Sequence, residues 1–336
     1  MSFTEQPPHA GAFLDELVSP SLAPLFRRPQ RLGKPSGWWG HVPFAAWIVE
    51  AVRPRLLVEL GTHHGVSYAA FCEAVQHAGL ATRCHAVDHW QGDPHAGFVG
   101  DEVHAELEAF NRQRYAAFSE LLRLAFDDAL ERFEDASIDL LHIDGFHTFE
   151  AVQHDYMAWK PKLSDRAVVL FHDTNVRRDD FGVHRLFAQL ADAFPHFEFL
   201  HGHGLGVIAH GPEVAAPVQQ LCALGQGRSA FAVRDRFAAL GAVWEGLARE
   251  AEAQRSFRLQ VEALEQLRRT AQEGLDAARG QLDAARGQLD AAAQARDEAV
   301  AQTRSAVRAE RERDAALGRV HLLQVRLEEA ARQARD

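Results

Sequence analysis

The sequence has few cysteines, no long apolar run and no excess of positive charge, and each absence excludes a class of protein. Its three thiols are an odd number, widely spaced and without a CxxC pair. This argues against a disulfide framework and against a zinc–cysteine site. The net charge of −11 over 336 residues disfavours a nucleic-acid partner, because phosphate binding needs a basic surface.

No apolar stretch approaches the roughly 20 residues of a membrane-spanning helix. The first residues, MSFTEQPPHAGAF, also lack the basic and apolar regions of a signal peptide. We therefore expect a cytoplasmic protein without a membrane span.

The C-terminal part of the chain lacks proline and aromatic residues. The last proline is Pro217 and the last aromatic residue is Phe257. The final stretch therefore has neither helix breakers nor the large side chains of a globular core. Between 251 and 336 the chain carries 15 arginines and 15 acidic residues, so the excess of acid belongs to residues 1–250.

A seven-residue repeat runs through this tail. In GLDAARG-QLDAARG-QLDAAAQ (274–294), Leu275, Leu282 and Leu289 fall on one seam of a helix, together with alanines. Such a heptad predicts a coiled coil over 250–336 that joins copies of the chain in a homo-oligomer. The alternative is a single solvated helix, since each glycine of the repeat costs about 1 kcal/mol relative to alanine.

The first part of the chain alternates strand patterns with helix patterns. Helix patterns follow the first, fourth and fifth of five strand patterns, and HFEFLHGHGLGVIAHG (196–211) is typical of a hairpin. The strand patterns are PRLLVELG (54–61), RCHAVD (83–88), SELLRLAF (119–126), SIDLLHID (137–144) and RAVVLFHD (166–173). Repeated βα units with a terminal hairpin predict an α/β fold: a doubly wound, Rossmann-like sheet with an antiparallel edge. We divide the chain into an N-terminal extension (1–35), this α/β domain (36–212), a helical connector (213–249) and the coiled coil.

The turn after the first strand favours ligand binding. In VELGTHHGVSY (58–68), Gly61 and Gly65 lie between a strand and a helix, where backbone can approach a ligand closely. The turn has neither the GxGxxG spacing of dinucleotide sites nor the GK[ST] of a P-loop. Asp88 ends the next strand, where a carboxylate can accept hydrogen bonds from both hydroxyls of a ribose. A nucleoside ligand without a pyrophosphate, such as S-adenosylmethionine, fits this pattern.

These motifs together resemble class I S-adenosylmethionine-dependent methyltransferases. The stretches GWWGHVPFAAWIVEAVRPRLLVELGTHHGVSYAAFCEAV, HAVDHWQGD, SIDLLHIDGFHTFEAVQHDYMAWKPKLSDRAVVLFHDT and FGVHRLFAQLADAFPHFEFLHGHGLGV are similar to a branch related to macrocin O-methyltransferase. That branch is often found beside bacterial glycosyltransferases. The resemblance covers roughly residues 36–210 and leaves the tail unexplained.

The resemblance implies roles for cofactor-binding residues. Glu59, Gly61, Gly65 and Ser67 would form the pocket for the methionine end, and Asp88 would hold the ribose. Either Trp90, or Phe126 with Asp127, would flank the adenine. Trp38 and Trp39 would form a lid over the cofactor or belong to the core.

The resemblance also implies a metal and a base. Asp144, His172 and Asp173 match positions by which catechol-type and macrocin-type enzymes hold magnesium, although those enzymes carry a carboxylate where this chain has His172. Since magnesium prefers oxygen ligands and imidazole suits manganese, we expect Mg or Mn, if a metal is used. His147 is the candidate general base, because an imidazole titrates near neutral pH. The alternative is that these side chains only terminate strands and turns.

The leading functional hypothesis is O-methylation of a hydroxyl of a sugar or glycan, in association with glycosyltransferase machinery. A second hypothesis keeps the chemistry and assigns a small natural product as the acceptor. A third is a non-catalytic scaffold that retains a nucleoside-binding fold and recruits partners through the coiled coil.

Overall fold

The computed structural model describes residues 25–178 and 180–333, so most of the predicted extension 1–35 lies outside the described part. The chain divides into two compact units, Met1–Phe257 and Arg258–Asp336. The first contains every strand of the described residues. The second consists of the continuation of one long helix.

The elements alternate as the sequence predicts. In chain order they are α1 (Val42–Val52), β1 (Leu56–Leu60), α2 (Val66–His77), β2 (Arg83–Asp88), β3 (Gly92–Asp93), β4 (Gly97–Phe98), α3 (Asp101–Tyr115), β5 (Ser119–Arg123), α4 (Phe126–Ala129), β6 (Ile138–Ile143), α5 (Phe149–Trp159), β7 (Leu163–His172), α6 (Val183–Ala191), β8 (His196–Phe199), β9 (Leu205–Ala209), α7 (Ala216–Cys222) and α8 (Arg228–Gln333).

Seven strands form one sheet in the order β5-β2-β1-β6-β7-β9-β8. The first five are parallel, and β9 runs antiparallel to both β7 and β8. The predicted doubly wound sheet with an antiparallel hairpin at its edge is confirmed. The strand order reverses between β1 and β6, and in open α/β sheets ligands bind at this point, beyond the carboxyl ends of the strands.

Successive side chains of each strand point to opposite faces of the sheet, so the sheet has a core on each side. Leu57 belongs to the core formed with α1, α2, α7 and the start of α8, whereas Val58 belongs to the core formed with α5 and α6. Both side chains are completely buried. The sheet is therefore the middle layer of three.

The sequence analysis did not predict α1, α3 or the small hairpin of β3 and β4. In α3 only Leu107, Asn111 and Tyr115 are buried, a stripe one residue wide at intervals of four. So narrow a stripe leaves the segment mostly polar, which hides the helical period in the sequence.

The long C-terminal helix is confirmed, and it begins at Arg228, before the predicted start of the coiled coil at 250. Ala230, Val233, Phe237, Trp244 and Ala248 are buried against the α/β domain. Beyond residue 251 almost every side chain is exposed. The described residues contain no helix that is both apolar and long enough to cross a membrane. The coiled coil and the homo-oligomer stay predictions.

An ion pair at the amino ends of the strands joins β6 to its neighbours. The buried Asp139 carboxylate accepts hydrogen bonds from the Arg55 backbone N–H (2.8 Å), from the Arg55 guanidinium (2.8 and 2.9 Å) and from the Ser164 hydroxyl (2.7 Å). Burial opposes ionisation of Asp139, but these donors outweigh it and lower its pKa to about 2.

We expect Asp139→Asn to lower the free energy of unfolding by about 1–3 kcal/mol, because the donors of Arg55 and Ser164 lose a charged, buried acceptor. Since the pKa of Asp139 lies below its ordinary value of 3.8, the stabilisation is present above that pH and lost as pH falls towards 2. Urea unfolding across this range measures both effects. Asp135→Asn, at the exposed pair with Lys162, is the matched control and should cost at most about 1 kcal/mol. Equal losses in the two variants would contradict the prediction.

We further expect Leu275→Glu, Leu282→Glu and Leu289→Glu together to lower the oligomeric mass of the full chain. These side chains are 48%, 58% and 74% exposed, and a heptad seam buries such leucines only when copies associate. The triple change Ala277→Glu, Ala284→Glu and Ala291→Glu adds the same charge outside the seam and should leave the mass unchanged. Analytical ultracentrifugation makes the comparison; an unaltered mass in both would mean that the seam assembles nothing.

Candidate functional site

A cavity of about 560 Å³ lies at the carboxyl ends of the parallel strands. Its walls come from the loops that follow β1, β2, β5, β6 and β7 and from the turn between β8 and β9. The cavity therefore occupies the place where the strand order reverses, as the sheet topology requires.

The loop after β1 depends on its two glycines for packing. Gly61 (φ +83°) lies so close to β6 that a Cβ atom there would be 2.1 Å from the carbonyl oxygen of Asp144. At Gly65 (φ +72°) a Cβ atom would be 2.5 Å from the side chain of Leu107. Both glycines line the cavity. Neighbouring protein atoms leave no room for a side chain at either position, so packing alone requires glycine there.

Asp88, the predicted ribose ligand, holds two loops in place. Its Oδ2 accepts hydrogen bonds from the backbone N–H groups of Thr62 (2.9 Å) and His63 (2.8 Å), and its Oδ1 accepts one from that of Trp90 (2.7 Å). Asp88 also lines the cavity. A carboxylate has about four acceptor positions, so this set leaves capacity for a further donor.

Glu59, expected at the methionine end, lies beneath the cavity and does not line it. It is fully buried, and the Nδ1–H of His142 donates to its Oε2 (2.9 Å). Trp38 Nε1–H in turn donates to His142 Nε2 (3.2 Å), which fixes the tautomer. Burial raises the pKa of Glu59, with bonds from His142 and Ser67 opposing it. Ser67, by contrast, does line the cavity.

Trp38 and Trp39 belong to the core, because their exposed fractions are 1% and 4%. The candidates to flank adenine are Trp90, Phe126 and Asp127, and all three line the cavity. The indole N–H of Trp90 donates to the His63 carbonyl (2.9 Å), so that ring braces the loop after β1. Asp127 is paired with His154 at 2.9 Å, on the exposed rim.

Four side chains converge beyond the ends of β6 and β7, which are adjacent and parallel. They are Asp144, His147, His172 and Asp173, and all four line the cavity. Nε2 of His147 is 2.8 Å from Asp173 Oδ2 and 3.5 Å from Asp144 Oδ1. Nδ1 of His172 is 3.2 Å from Asp144 Oδ1 and 3.5 Å from Asp173 Oδ2. The convergence that the sequence predicts is therefore present.

Opposite charges control ionisation in this cluster. Burial opposes charge on His147, yet Asp144 and Asp173 outweigh it and raise the pKa of His147 to about 9. The same carboxylates raise the pKa of the buried His172, and the two imidazoles keep the pKa values of Asp144 and Asp173 low in spite of burial. The negative charges of the two carboxylates and the positive charges of the two imidazolium rings therefore balance.

The expectation that His147 titrates near neutral pH is wrong for this arrangement. Its pKa of about 9 means that the ring holds its proton at neutral pH, because the two carboxylates stabilise the imidazolium. A base role for His147 therefore requires its neutral form.

The cluster also has the donor atoms of a cation site. In the described residues, two sets of three donors lie within 4.8 Å of one another: Asp144, His147 and Asp173, and His172, Asp173 and His203. His147 thus lies beside the two carboxylates together with His172, which the sequence analysis placed there. Although it is close to Asp173, the His147 Nε2 has no well-aligned hydrogen bond, which fits groups that converge on a common point. His172 Nε2 lies 3.0 Å from the Gly202 carbonyl oxygen, so the other ring nitrogen, Nδ1, points towards the carboxylates.

Some site residues were missed by the sequence analysis. The Phe181 ring stacks on His147 (4.8 Å, 5°) and on His95 (4.4 Å, 19°), and His95 contacts Asp180 at 2.7 Å. His203, from the turn between β8 and β9, lies 3.8 Å from Asp173. In the sequence, only the Gly-rich turn of the predicted hairpin pointed to His203. The small hairpin of β3 and β4, which carries His95, has no recognisable sequence pattern.

Residues 58–174 match the family model described as a methyltransferase domain. An uncharacterized protein of Sinorhizobium fredii, y4gI, is 53% identical over 180 residues, or 54% of this chain. The match spans only a fifth (20%) of that protein's length.

The solved structures similar in fold include O-methyltransferase TomG from Streptomyces achromogenes in complex with SAM (14% identity, 60% of this chain and 95% of that one, TM-score 0.41). Cofactor-bound Rv0187 from MTB is another (20% identity, 62% and 100%, TM-score 0.39). The family match indicates a methyltransferase domain over residues 58–174, the part of the chain that runs from β1 through β7 and contains most of the cavity lining.

Proposed function

We propose that this protein is an S-adenosylmethionine-dependent O-methyltransferase that methylates a hydroxyl of a sugar or glycan. The observation that carries the proposal is that the loop after β1 and the cluster of Asp144, His147, His172 and Asp173 line one cavity. Methyl transfer needs a donor and an acceptor held in line, with a group to take the acceptor's proton. The cavity offers both sides of that reaction.

The cofactor would extend along the strand ends. Its methionine end would lie at the loop Gly61–Ser67, where the N-terminus of α2 presents free N–H groups, and its ribose would lie at Asp88. Ser67 faces this end of the cavity, and Glu59 supports the same wall from below. Asp144, whose backbone adjoins Gly61, would lie on the acceptor side.

His147, in its neutral form, accepts the proton of the acceptor hydroxyl. Bound S-adenosylmethionine would supply the methyl group: its carbon–sulfur bond would break, with the electron pair passing to sulfur, as the acceptor oxygen bonds to the methyl carbon, and S-adenosylhomocysteine would leave as a neutral thioether. Phe181, stacked on the His147 ring, keeps the ring plane fixed during this step.

The proposal extends to a divalent cation, Mg²⁺ or Mn²⁺, bound beside the acceptor. Asp144 and Asp173 would hold it with His172 as the nitrogen donor, so that His147 stays free to accept the proton. A cation bound there would lower the pKa of the acceptor hydroxyl. Because one imidazole joins two carboxylates, manganese suits the donor set better than magnesium.

A sugar acceptor is supported by the rings on that side of the cavity. His95, Phe146 and Phe181 pack together there, with centroids 4.4–4.7 Å apart around His95, and give an apolar surface for the face of a sugar ring. The resemblance of residues 36–210 to enzymes found beside glycosyltransferases points the same way. A natural-product hydroxyl would use the same surface, and an acceptor screen separates the two; a scaffold without catalysis would bind the cofactor and methylate neither.

We expect Asp144→Asn and His147→Ala to bind S-adenosylhomocysteine as the wild type does and to lose turnover by about 100-fold or more, because acceptor orientation and proton removal fail. Calorimetry measures binding, and transfer of a labelled methyl group to cell-envelope glycans measures turnover. His77→Ala, an exposed histidine at the end of α2, is the control and should keep full activity.

Chelation distinguishes the two forms of this mechanism. Loss of turnover in chelator, restored by added Mn²⁺, supports the cation, whereas turnover that persists in chelator supports acid–base chemistry alone. Full activity in both Asp144→Asn and His147→Ala would contradict the mechanism.

We expect Asp88→Ala to weaken S-adenosylhomocysteine binding and to lower the free energy of unfolding by about 1–3 kcal/mol, because three backbone N–H groups lose their acceptor. Asp88→Asn keeps one oxygen acceptor and should lose less stability, yet still lose affinity, because a charged acceptor binds a diol more strongly. Urea unfolding and calorimetry measure the two quantities. Unchanged affinity in both variants would remove the ribose assignment.

A further inference from the structure

The carbonyl oxygen of Gly202, in the turn between β8 and β9, faces two imidazole rings. Nε2 of His172 lies 3.0 Å from this oxygen, and Nε2 of His41 lies 3.1 Å from it. A carbonyl oxygen only accepts, so both rings carry a proton on Nε2 in these hydrogen bonds, and its two lone pairs serve both donors at once. His172 lines the cavity, whereas His41 does not.

The shared carbonyl sets which nitrogen of His172 faces the carboxylates. With Nε2 bonded to Gly202, Nδ1 is the atom that lies 3.2 Å from Asp144 Oδ1 and 3.5 Å from Asp173 Oδ2. A carbonyl that turned away would release the hydrogen bond that fixes the rotation of the ring. The direction of this one carbonyl therefore controls how His172 enters the cavity.

The backbone of the turn does not fix that direction by itself. Gly202 (φ +54°), His203 (φ +70°) and Gly204 (φ +96°) all lie in the left-handed region. Because glycine changes backbone conformation at little cost, the peptide that follows Gly202 needs an outside donor to hold its carbonyl. His41 is close enough to do so, since a Cβ atom at Gly202 would lie 2.8 Å from the His41 Nε2.

His41 is itself held firmly. It ends the 3₁₀ turn Gly37–His41, just before α1, and is completely buried. Its ring centroid lies 5.6 Å from that of His172 and 4.6 Å from that of His201. A second hydrogen bond joins the same two segments in the opposite sense, because His201 Nε2 donates to the Gly40 carbonyl (3.0 Å).

The other ring nitrogen of His41 has no structural use. In the part of the chain that the structure describes, Nδ1 of His41 is buried and has no hydrogen-bond partner. A buried polar atom without a partner lowers stability, so an apolar ring would suit this place in the core better. The hydrogen bond to Gly202 is thus what an imidazole supplies here.

We propose that His41 is a positioning residue for the candidate site: through the Gly202 carbonyl it holds His172 with Nδ1 towards Asp144 and Asp173. The inference rests on the proposed function, because His172 belongs to the cluster on which that function depends. His172 faces the two carboxylates whether or not a cation joins them. Since His41 does not line the cavity, it acts only through His172.

The test replaces His41 by phenylalanine, which keeps a ring and removes the donor. We expect His41→Phe to lower the apparent kcat of methyl transfer to cell-envelope glycans by about tenfold or more, because His172 is no longer held in place. KM for S-adenosylmethionine and the calorimetric affinity for S-adenosylhomocysteine should stay within about twofold of wild type, because cofactor binding is untouched. The midpoint of urea unfolding should be no lower than that of the wild type, because the unpaired Nδ1 is gone.

Three further variants separate positioning from packing. His41→Gln places an amide N–H near the former Nε2 and should recover most of the kcat. His41→Leu is a second, smaller side chain without a donor and should behave as His41→Phe does. His201→Phe is the matched control: it removes a histidine-to-carbonyl bond between the same two segments, but not the one on Gly202, and should keep the wild-type kcat.

Crystal structures of the full chain, as wild type and as His41→Phe, test the geometry without an assay. We expect His172 Nε2 to lose the Gly202 carbonyl in the variant and the ring to turn away from the carboxylates. An unmoved ring, a wild-type kcat in both donor-free variants, no recovery in His41→Gln, or an equal loss in His201→Phe overturns the inference and leaves the proposed function intact. A wild type that neither binds S-adenosylhomocysteine nor transfers a methyl group overturns the proposed function, and the inference with it.

Discussion

The close approach of two strand ends is the constraint on which the candidate site depends. Beyond β1 and β6 the backbones meet so closely that Gly61 has no room for a side chain beside the Asp144 carbonyl. A larger residue would separate the loop after β1 from the loop that carries Asp144 and His147. The one glycine therefore keeps the proposed cofactor wall and the acid–imidazole cluster in a single cavity.

Two layers of polar groups support that cavity. At the cavity wall, Asp144 and Asp173 both contact His147 and His172, so that the charge on each group is compensated by a neighbour. Beneath it, a hydrogen-bonded chain of Trp38, His142 and Glu59 joins the segment before α1 to β6 and β1. Polar contacts of this kind strengthen one another in a buried environment, which gives the upper layer a rigid floor.

The long helix contributes to the two units in different ways. Its first turns belong to the core, because Phe237 and Trp244 pack against the α/β domain. Beyond Phe257 the helix carries no aromatic side chain, and its exposed leucines include the seven-residue series Leu275, Leu282 and Leu289. One continuous element thus changes from a packing helix to an exposed one where the composition changes.

Local sequence patterns predicted the seven strands of the main sheet, its hairpin edge and the long helix, because hydrophobic periodicity and breakers act locally. They also placed Asp144, His172 and Asp173 at strand ends, since the last residue of a buried strand is visible in the pattern. Tertiary packing was needed to show that Glu59 lies under the cavity, that Asp88 holds three backbone groups and that the pKa of His147 is raised. The same packing brings His95, Phe181 and His203 to the site. These properties depend on the distance between side chains that are far apart in the chain, and neither burial nor charge proximity is written in a local pattern.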